Sequence, residues 1–322
     1  MSEIMVSVLV PTYNQENYIT QALDGVLRQK TQYAYEVLVG EDLSTDGTRE
    51  VLRQYETAHP GAVTVYYREH NLGCSADVLD NHMNLYHRAQ GKYVIFLEGD
   101  DFWIDDGKIE KQVNFLEQHP DYIATAHNCV VVNERGEKRE EQYPECKDEE
   151  YTLAHYERNI LPGQLATLMM RNIYQVPGFR TDMWEKRLVP GDRLFYFTLL
   201  SCGRIYCRQE AMTAYRYVTS GGSSYTANVR YDFSGDEYWH RELYTFALGT
   251  GKKAFQDCAG ILYLTALVRG LKTRAISARQ AMAYIAALRG RRRLLLRFFC
   301  IYTPIYAEKI MRRLLKMNAK KI

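Results

Sequence analysis

Tyr93-Val94-Ile95-Phe96-Leu97-Glu98-Gly99-Asp100-Asp101-Phe102-Trp103 is the stretch on which the reading of the whole chain turns. Its five leading residues are apolar, too few for a helix and rich in β-branched and aromatic side chains, which predicts a strand buried on both faces. Three carboxylates follow around one glycine. Like charges this close raise one another's pKa, so the turn makes chemical sense where a divalent cation and a phosphate ligand complete it. A solvated acidic turn after a strand is the plain alternative.

Working upstream, Ile4 to Val10 reads as a first strand, ended by Pro11-Thr12-Tyr13-Asn14. Pro11 removes a backbone donor there, and Asn14 is suited to cap the helix that follows, whose Ile19, Leu23, Val26 and Leu27 share one face. Tyr35 to Gly40 predicts a second strand, with Glu41 and Asp42 at its end and a helix running on towards His59-Pro60. Val63 to Tyr67 predicts a third, ending at Arg68, and Leu79, Met83 and Tyr86 give the core stripe of the next helix. Strands alternating with helices mean an α/β fold with a mainly parallel sheet. Ligands of such sheets sit beyond the carboxyl ends of the strands. Pro11 to Tyr13, Glu41, Asp42, Arg68 and Glu98 to Asp101 are therefore expected on one rim.

Downstream, Lys108 to His119 predicts a helix and Ile123 to Asn133 a strand that carries His127 towards the same crevice. Gly136 to Tyr151 is polar and acidic, either a solvated connection or a lid. Pro190-Gly191-Asp192 opens a helix through Leu200, and Gly203 to Tyr217 reads as short strands around a turn. Beyond Gly221-Gly222 the chain reads as helical. The expected organisation is a domain over 1–222, with a nucleotide half to about 135 and an acceptor half over 136–222, and a helical region over 223–322.

The 322 residues suffice for a large core, and the strand-like start at Val6 leaves no room for a signal peptide. The seven cysteines are odd in number, scattered and without a C-x-x-C pair, the pattern of reduced cytosolic thiols. Net charge is +2, but residues 289–322 carry eleven Lys or Arg against Glu308 alone. That tail interleaves its arginines with leucine and phenylalanine, as helices lying on an anionic membrane surface do. A helix packed on the body with its basic face in water is the alternative. No nucleic-acid module accompanies the charge, and no segment reaches the roughly twenty apolar residues of a bilayer span.

Neither a G-x-G-x-x-G after the first strand nor a P-loop motif is present, which disfavours dinucleotide and P-loop chemistry. The residues left at the strand ends suit a nucleoside diphosphate. Tyr13 can pack on a base, Glu41 or Asp42 can accept from base or ribose donors, and a cation on Asp100 can bridge two phosphates.

The segments VSVLVPTYNQENYI, VLVGEDLSTDGT, NLGCSADVLDNHMNLYHRAQGKY and FLEGDDFW, in that order over about Met5 to Gly136, resemble the inverting glycosyltransferases of family 2 with the GT-A fold. The last, continuing to Asp105, Lys108 and KQVNFLEQHPDY, looks like a bacterial branch with Glu-Gly-Asp-Asp in place of Asp-x-Asp-Asp. The resemblance implies sugar transfer from a nucleotide sugar, UDP favoured, to an acceptor hydroxyl with Mn²⁺ or Mg²⁺. It puts Glu98 and Asp100 at the metal, with Gly99 between them and Asp101 in support. Pro11, Thr12, Tyr13, Glu41 and Asp42 fall where the family cradles the nucleoside, although Glu41 departs from the commoner Asp, and Arg68 falls near base or phosphate. Asp192 is the implied general base, with helix capping as its alternative role. Arg216 would balance pyrophosphate charge, while Val218 or Thr219 stands where relatives have a histidine. His127 would touch donor or acceptor, or be structural. A membrane-bound tail would make a lipid-linked acceptor and surface-polysaccharide assembly fitting. A degenerate scaffold on the same fold is the first rival, and a sugar nucleotidyltransferase the second.

Overall fold

The computed structural model describes residues 3–72, 81–176, 191–217 and 232–288. The decisive stretch forms β4 (Tyr93–Phe96), whose four residues are all buried. On one side lies β1 (Val6–Thr12), parallel to it, followed by β2 (Tyr35–Glu41) and β3 (Thr64–Tyr67), also parallel. On the other side β8 (Met169–Arg171) enters antiparallel and joins β4 to β6 (Tyr122–Val132). The parallel partner of β6 is β9 (Arg204–Arg216), which also pairs antiparallel with β5 (Phe102–Trp103) and β7 (Glu150–Tyr151). The result is one nine-stranded sheet in which β5, β7 and β8 run against the rest.

Helices α1 (Ile19–Leu27), α2 (Thr48–Ala58), α3 (Asn81–Tyr86) and α4 (Lys108–Gln118) supply the crossovers. Ile19, Leu23 and Val26 of α1 and Ile109, Val113 and Leu116 of α4 are fully buried, the stripes that helical spacing predicts. They pack with Val8, Val10, Val37, Val39 and Ile95 of the strands in one core. Further on, α5 (Leu153–Glu157) follows β7, and α6 (Gly191–Cys202) runs into β9.

Two local expectations are corrected. Asn14 does not cap α1; it adopts φ +55°, and its side-chain oxygen accepts from the Thr45 backbone N–H at 2.8 Å, tying two strand-end loops together. Asn tolerates this left-handed conformation better than most residues, which frees its side chain for the loop. The segment from Gly203 to Tyr217 is a single strand. In place of the expected turn there is a bulge at Gln209-Glu210, where the register with β6 steps from His127 opposite Arg208 to Asn128 opposite Ala211.

The chain divides into two compact units, Met1–Val229 and Arg230–Ile322. In the second, α7 (Phe233–Gly249) is capped by Asp232, whose carboxylate accepts from Ser234 and Gly235 N–H. It packs on α8 (Lys253–Thr273), where Gly270 leaves room for the Phe233 ring and Tyr263 Oη donates to the buried Glu237 at 2.9 Å. A short α9 (Ala278–Ala286) starts with a Ser277/Gln280 capping box. No described helix is long and apolar enough to cross a membrane. The basic tail over 289–322, Leu79, and Val218 to Gly222 lie outside the described residues.

Candidate active site

The strand ends meet as the open α/β sheet requires, and backbone hydrogen bonds carry the ladder past the last strand residues. Arg68 N donates to Glu41 O at 2.9 Å, Asp42 N to Thr12 O at 3.1 Å, and Gly99 N to Pro11 O at 3.2 Å. Pro11, Thr12, Glu41, Asp42, Arg68 and Gly99 thus form one continuous rim, with Tyr13 half-buried on it. The Thr12 hydroxyl donates to Gln15 Oε1 at 2.6 Å. Both side chains press on Gly99 where a Cβ would stand, so a larger residue there would have to displace Gln15 and Thr12.

Much of the rim holds itself in place. Glu41 is fully buried; one carboxylate oxygen accepts from Ser44 N–H at 2.6 Å and the other from Arg49 Nε at 2.7 Å. Asp42 Oδ1 accepts from Leu72 N–H at 2.7 Å. Arg68 donates through Nη2 to Asn81 Oδ1 at 3.4 Å, and its buried Nε has no hydrogen-bond partner among the described residues. Burial, and then the charge of Arg88, lower its pKa.

The three carboxylates of the turn have distinct surroundings. Glu98 is partly exposed, and its Oε1 lies 2.6 Å from His82 Nε2 of α3. Asp100 makes no side-chain hydrogen bond to another described residue; burial, and then the charge of Glu98, push its carboxyl up to about 6. Asp101 is buried beneath, with Oδ2 accepting from Gln164 Nε2 at 2.8 Å and Oδ1 from the Arg216 backbone N–H at 2.8 Å. Burial first, then Asp100, raise its pKa well above the usual carboxylate range. Glu98 and Asp100 are the two that could hold a cation, because the charge of Glu98 acts on Asp100 and the Asp100 carboxylate has no side-chain hydrogen bond to another described residue. A divalent ion answers that arrangement.

Arg216 lies behind this turn. Its Nε donates to Asp100 O at 2.8 Å, its Nη1 to Asn133 O and Glu134 O, and its Nη2 to Gln21 Oε1 at 2.8 Å, while its plane covers the Tyr18 ring at 4.4 Å. The side chain is spent on protein partners and fixes the turn from beneath.

Asp192, in the first turn of α6, accepts from the Arg193 backbone N–H at 2.7 Å. Burial raises its pKa, and Glu98 adds to the rise, which brings this carboxylate into the field of the acidic turn. A carboxylate raised in this way is a better proton acceptor. His127 is fully buried; its Nδ1 donates to Asn128 O at 2.8 Å, and burial, then the charge of Lys108, hold its pKa well below the ordinary value, so it is a neutral imidazole. The buried Lys108 donates to Gln112 Oε1 at 2.7 Å and lies over the Trp103 ring.

Residues 7–175 match the sequence profile described as glycosyl transferase family 2. The chain belongs to that family. The putative teichuronic acid biosynthesis glycosyltransferase TuaG of Bacillus subtilis is 32% identical over 225 residues, 68% of this chain and 82% of TuaG. The Mycobacterium tuberculosis protein Rv1520 is 30% identical over 230 residues, and the match spans 68% of this chain but only 61% of Rv1520. An Escherichia coli glucosyltransferase, WfgD, is 30% identical over 116 residues, 36% of this chain and 42% of WfgD. Among solved structures, Staphylococcus aureus TarS 1–349, determined with UDP-GlcNAc, superposes with a TM-score of 0.61 over 88% of this chain and 80% of TarS at 18% identity. The family 2 chain therefore has the GT-A fold of TarS.

Sequence reasoning missed His82 and Gln164. His82 stands within the third resembling segment and was readable as a polar residue on a helix pointing at the rim. Gln164 has no local signal, since it meets Asp101 across 63 residues of sequence.

Proposed function

We propose that this family 2 chain transfers a sugar from a nucleoside-diphosphate sugar, UDP favoured, to an acceptor hydroxyl with inversion, in assembly of a bacterial surface polysaccharide. The observation that carries it is the acidic turn Glu98 to Asp101 at the end of β4, on the rim where the ends of β1, β2 and β3 meet. The likeness to TuaG, a putative teichuronic acid biosynthesis glycosyltransferase, and to WfgD, a UDP-Glc:alpha-D-GlcNAc-diphosphoundecaprenol beta-1,3-glucosyltransferase, supports the polymer, the nucleotide and a lipid-linked acceptor.

In this reading Pro11, Thr12, Tyr13 and Asp42 cradle the nucleoside, and Glu41 shapes the cradle through its hold on Ser44 and Arg49. Arg68 faces base or phosphate. Glu98 and Asp100 would hold Mn²⁺ or Mg²⁺, which when bound offsets the charge growing on the departing diphosphate. Asp101, Gln164 and Arg216 keep Asp100 in place. Asp192 accepts the proton of the acceptor hydroxyl as its oxygen attacks the anomeric carbon, a role its raised pKa favours. The tail over 289–322 rests on an anionic membrane surface at the cytoplasmic face.

The test is a calorimetric screen of nucleotide sugars with Mn²⁺ and with chelator, on wild type and Asp100→Ala. One donor bound with metal and lost in the variant is the expected result. Binding of no donor under either condition overturns the proposal and leaves a non-catalytic scaffold on this fold.

A further inference from the structure

We propose that Cys146, Asp148 and His155, with Cys207 behind them, form a second metal site, suited to a soft divalent cation such as Zn²⁺ and separate from the acidic turn. Among the described residues, Cys146 Sγ, an Asp148 oxygen and an imidazole nitrogen of His155 are the three ligand-type atoms that converge, all within 4.8 Å of one another. They come from separate elements: Cys146 and Asp148 from the loop before β7, His155 from α5. His155 Nε2 already lies 2.8 Å from Asp148 Oδ2, and Cys146 Sγ 3.5 Å from the Asp148 carbonyl. The Cys207 thiol of β9, also fully buried, neighbours that of Cys146.

Two sulfurs, one imidazole and one carboxylate are a donor set for tetrahedral zinc. With Zn–S near ~2.3 Å and Zn–N near ~2.1 Å, ligand atoms stand on the order of 3.5 Å apart. The Cys146, Asp148 and His155 ligand atoms, already within 4.8 Å of one another, stand close to that spacing, and Cys207 would complete the set. Both cysteines are fully buried, whereas the Asp148 side chain is 74% exposed. The site therefore has a sulfur floor and a solvent-facing carboxylate through which an ion can enter.

The neighbourhood of His155 also fits. Without metal, Nδ1 accepts from the Thr152 backbone N–H at 3.1 Å, so Nε2 carries the proton that faces Asp148. A cation taken by Nε2 leaves the ring proton on Nδ1, which gives up the bond from the Thr152 N–H and donates instead to the Thr152 hydroxyl 3.0 Å away. Zinc-bound histidines are usually oriented by such an outer hydrogen bond. Binding releases the Cys146 thiol proton and joins the loop, α5 and β9 through one ion.

The experiment is a Co²⁺ titration of the full chain, stripped with chelator and kept reduced, read by the near-ultraviolet thiolate-to-cobalt absorption and followed by Zn²⁺ displacement. The expected result is saturation at about one Co²⁺ per chain, with the band abolished in Cys146→Ser and unchanged in Cys202→Ser, which alters an exposed cysteine. Because Cys146 is buried, Asp148→Asn provides a variant that leaves packing intact, and its affinity should fall about tenfold or more. The proposal is overturned if wild type shows no such band at saturating Co²⁺, or if the band survives unchanged in both Cys146→Ser and Asp148→Asn.

Discussion

Replacing Arg216 by lysine separates two roles for this side chain. If Arg216 acted as a charge beside the diphosphate, lysine would preserve the charge and cost only affinity. The geometry points to a structural role instead, because four hydrogen bonds fan out from one guanidinium to Asp100, Asn133, Glu134 and Gln21, at 2.8 to 3.1 Å. A lysine ammonium is a single point on a flexible stem and cannot span that fan. Two or three of the four bonds should be lost, leaving carbonyls without donors, at about 1 kcal/mol each. The expected destabilisation is about 2–3 kcal/mol, with more from lost stacking on Tyr18. For a unit of this size that is a fall in Tm of about 4–12 °C. The assay is calorimetric melting of Arg216→Lys beside wild type, with donor titration in parallel. A variant that melts within about 2 °C of wild type yet loses donor affinity would refute the structural role and return Arg216 to the phosphates.

Gly99→Ala places a methyl group against Gln15 and Thr12, so it should break their hydrogen bond, lift the acidic turn and weaken donor binding by about tenfold, read by calorimetry. Asp100, raised to about 6, must lose its proton to take a cation, so Mn²⁺ affinity should be level above that pH and fall about tenfold per unit below it. The fold responds in the opposite sense: a folded pKa above the ordinary 3.8 stabilises cation-free protein below that value, and this contribution disappears as pH rises through about 6, which pH-dependent melts with and without Mn²⁺ will show. Tyr86 is buried and its hydroxyl accepts from the Ile173 N–H at 2.9 Å; Tyr86→Phe leaves that donor unanswered and should cost about 1–3 kcal/mol in urea unfolding.

What could be read from the sequence followed from periodicity. The buried run at Tyr93 to Phe96 and the stripes on α1 and α4 report their own faces, and alternation of strand with helix brings the carboxyl ends of β1 to β4 to one rim. Contacts that depend on distant segments left no such trace. Nothing near Met169 says that β8 inserts between β4 and β6, because a three-residue strand has no period. Gln164 reads as an ordinary polar residue until Asp101 is placed beside it. Arg216 carries a positive charge in a binding-type motif, and charge alone does not distinguish a ligand to phosphate from a tie to four protein acceptors. Asn14 looked like a helix cap because capping and left-handed turns draw on the same short amide side chain.

The carboxylate of Asp101 joins three parts of the chain that lie far apart in sequence, since its two oxygens are answered from positions 164 and 216. This bears on recombination as an engineering route. A chimera built by keeping the sequence through β6 and grafting the remainder from another transferase, to change which acceptor is used, inherits a buried acid without its partners unless the graft supplies an amide at 164 and a strand end at 216. The segments before and after the end of β6 are thus not interchangeable cassettes. The natural crossover lies after β9, where the whole sheet travels together and only the helical unit is exchanged.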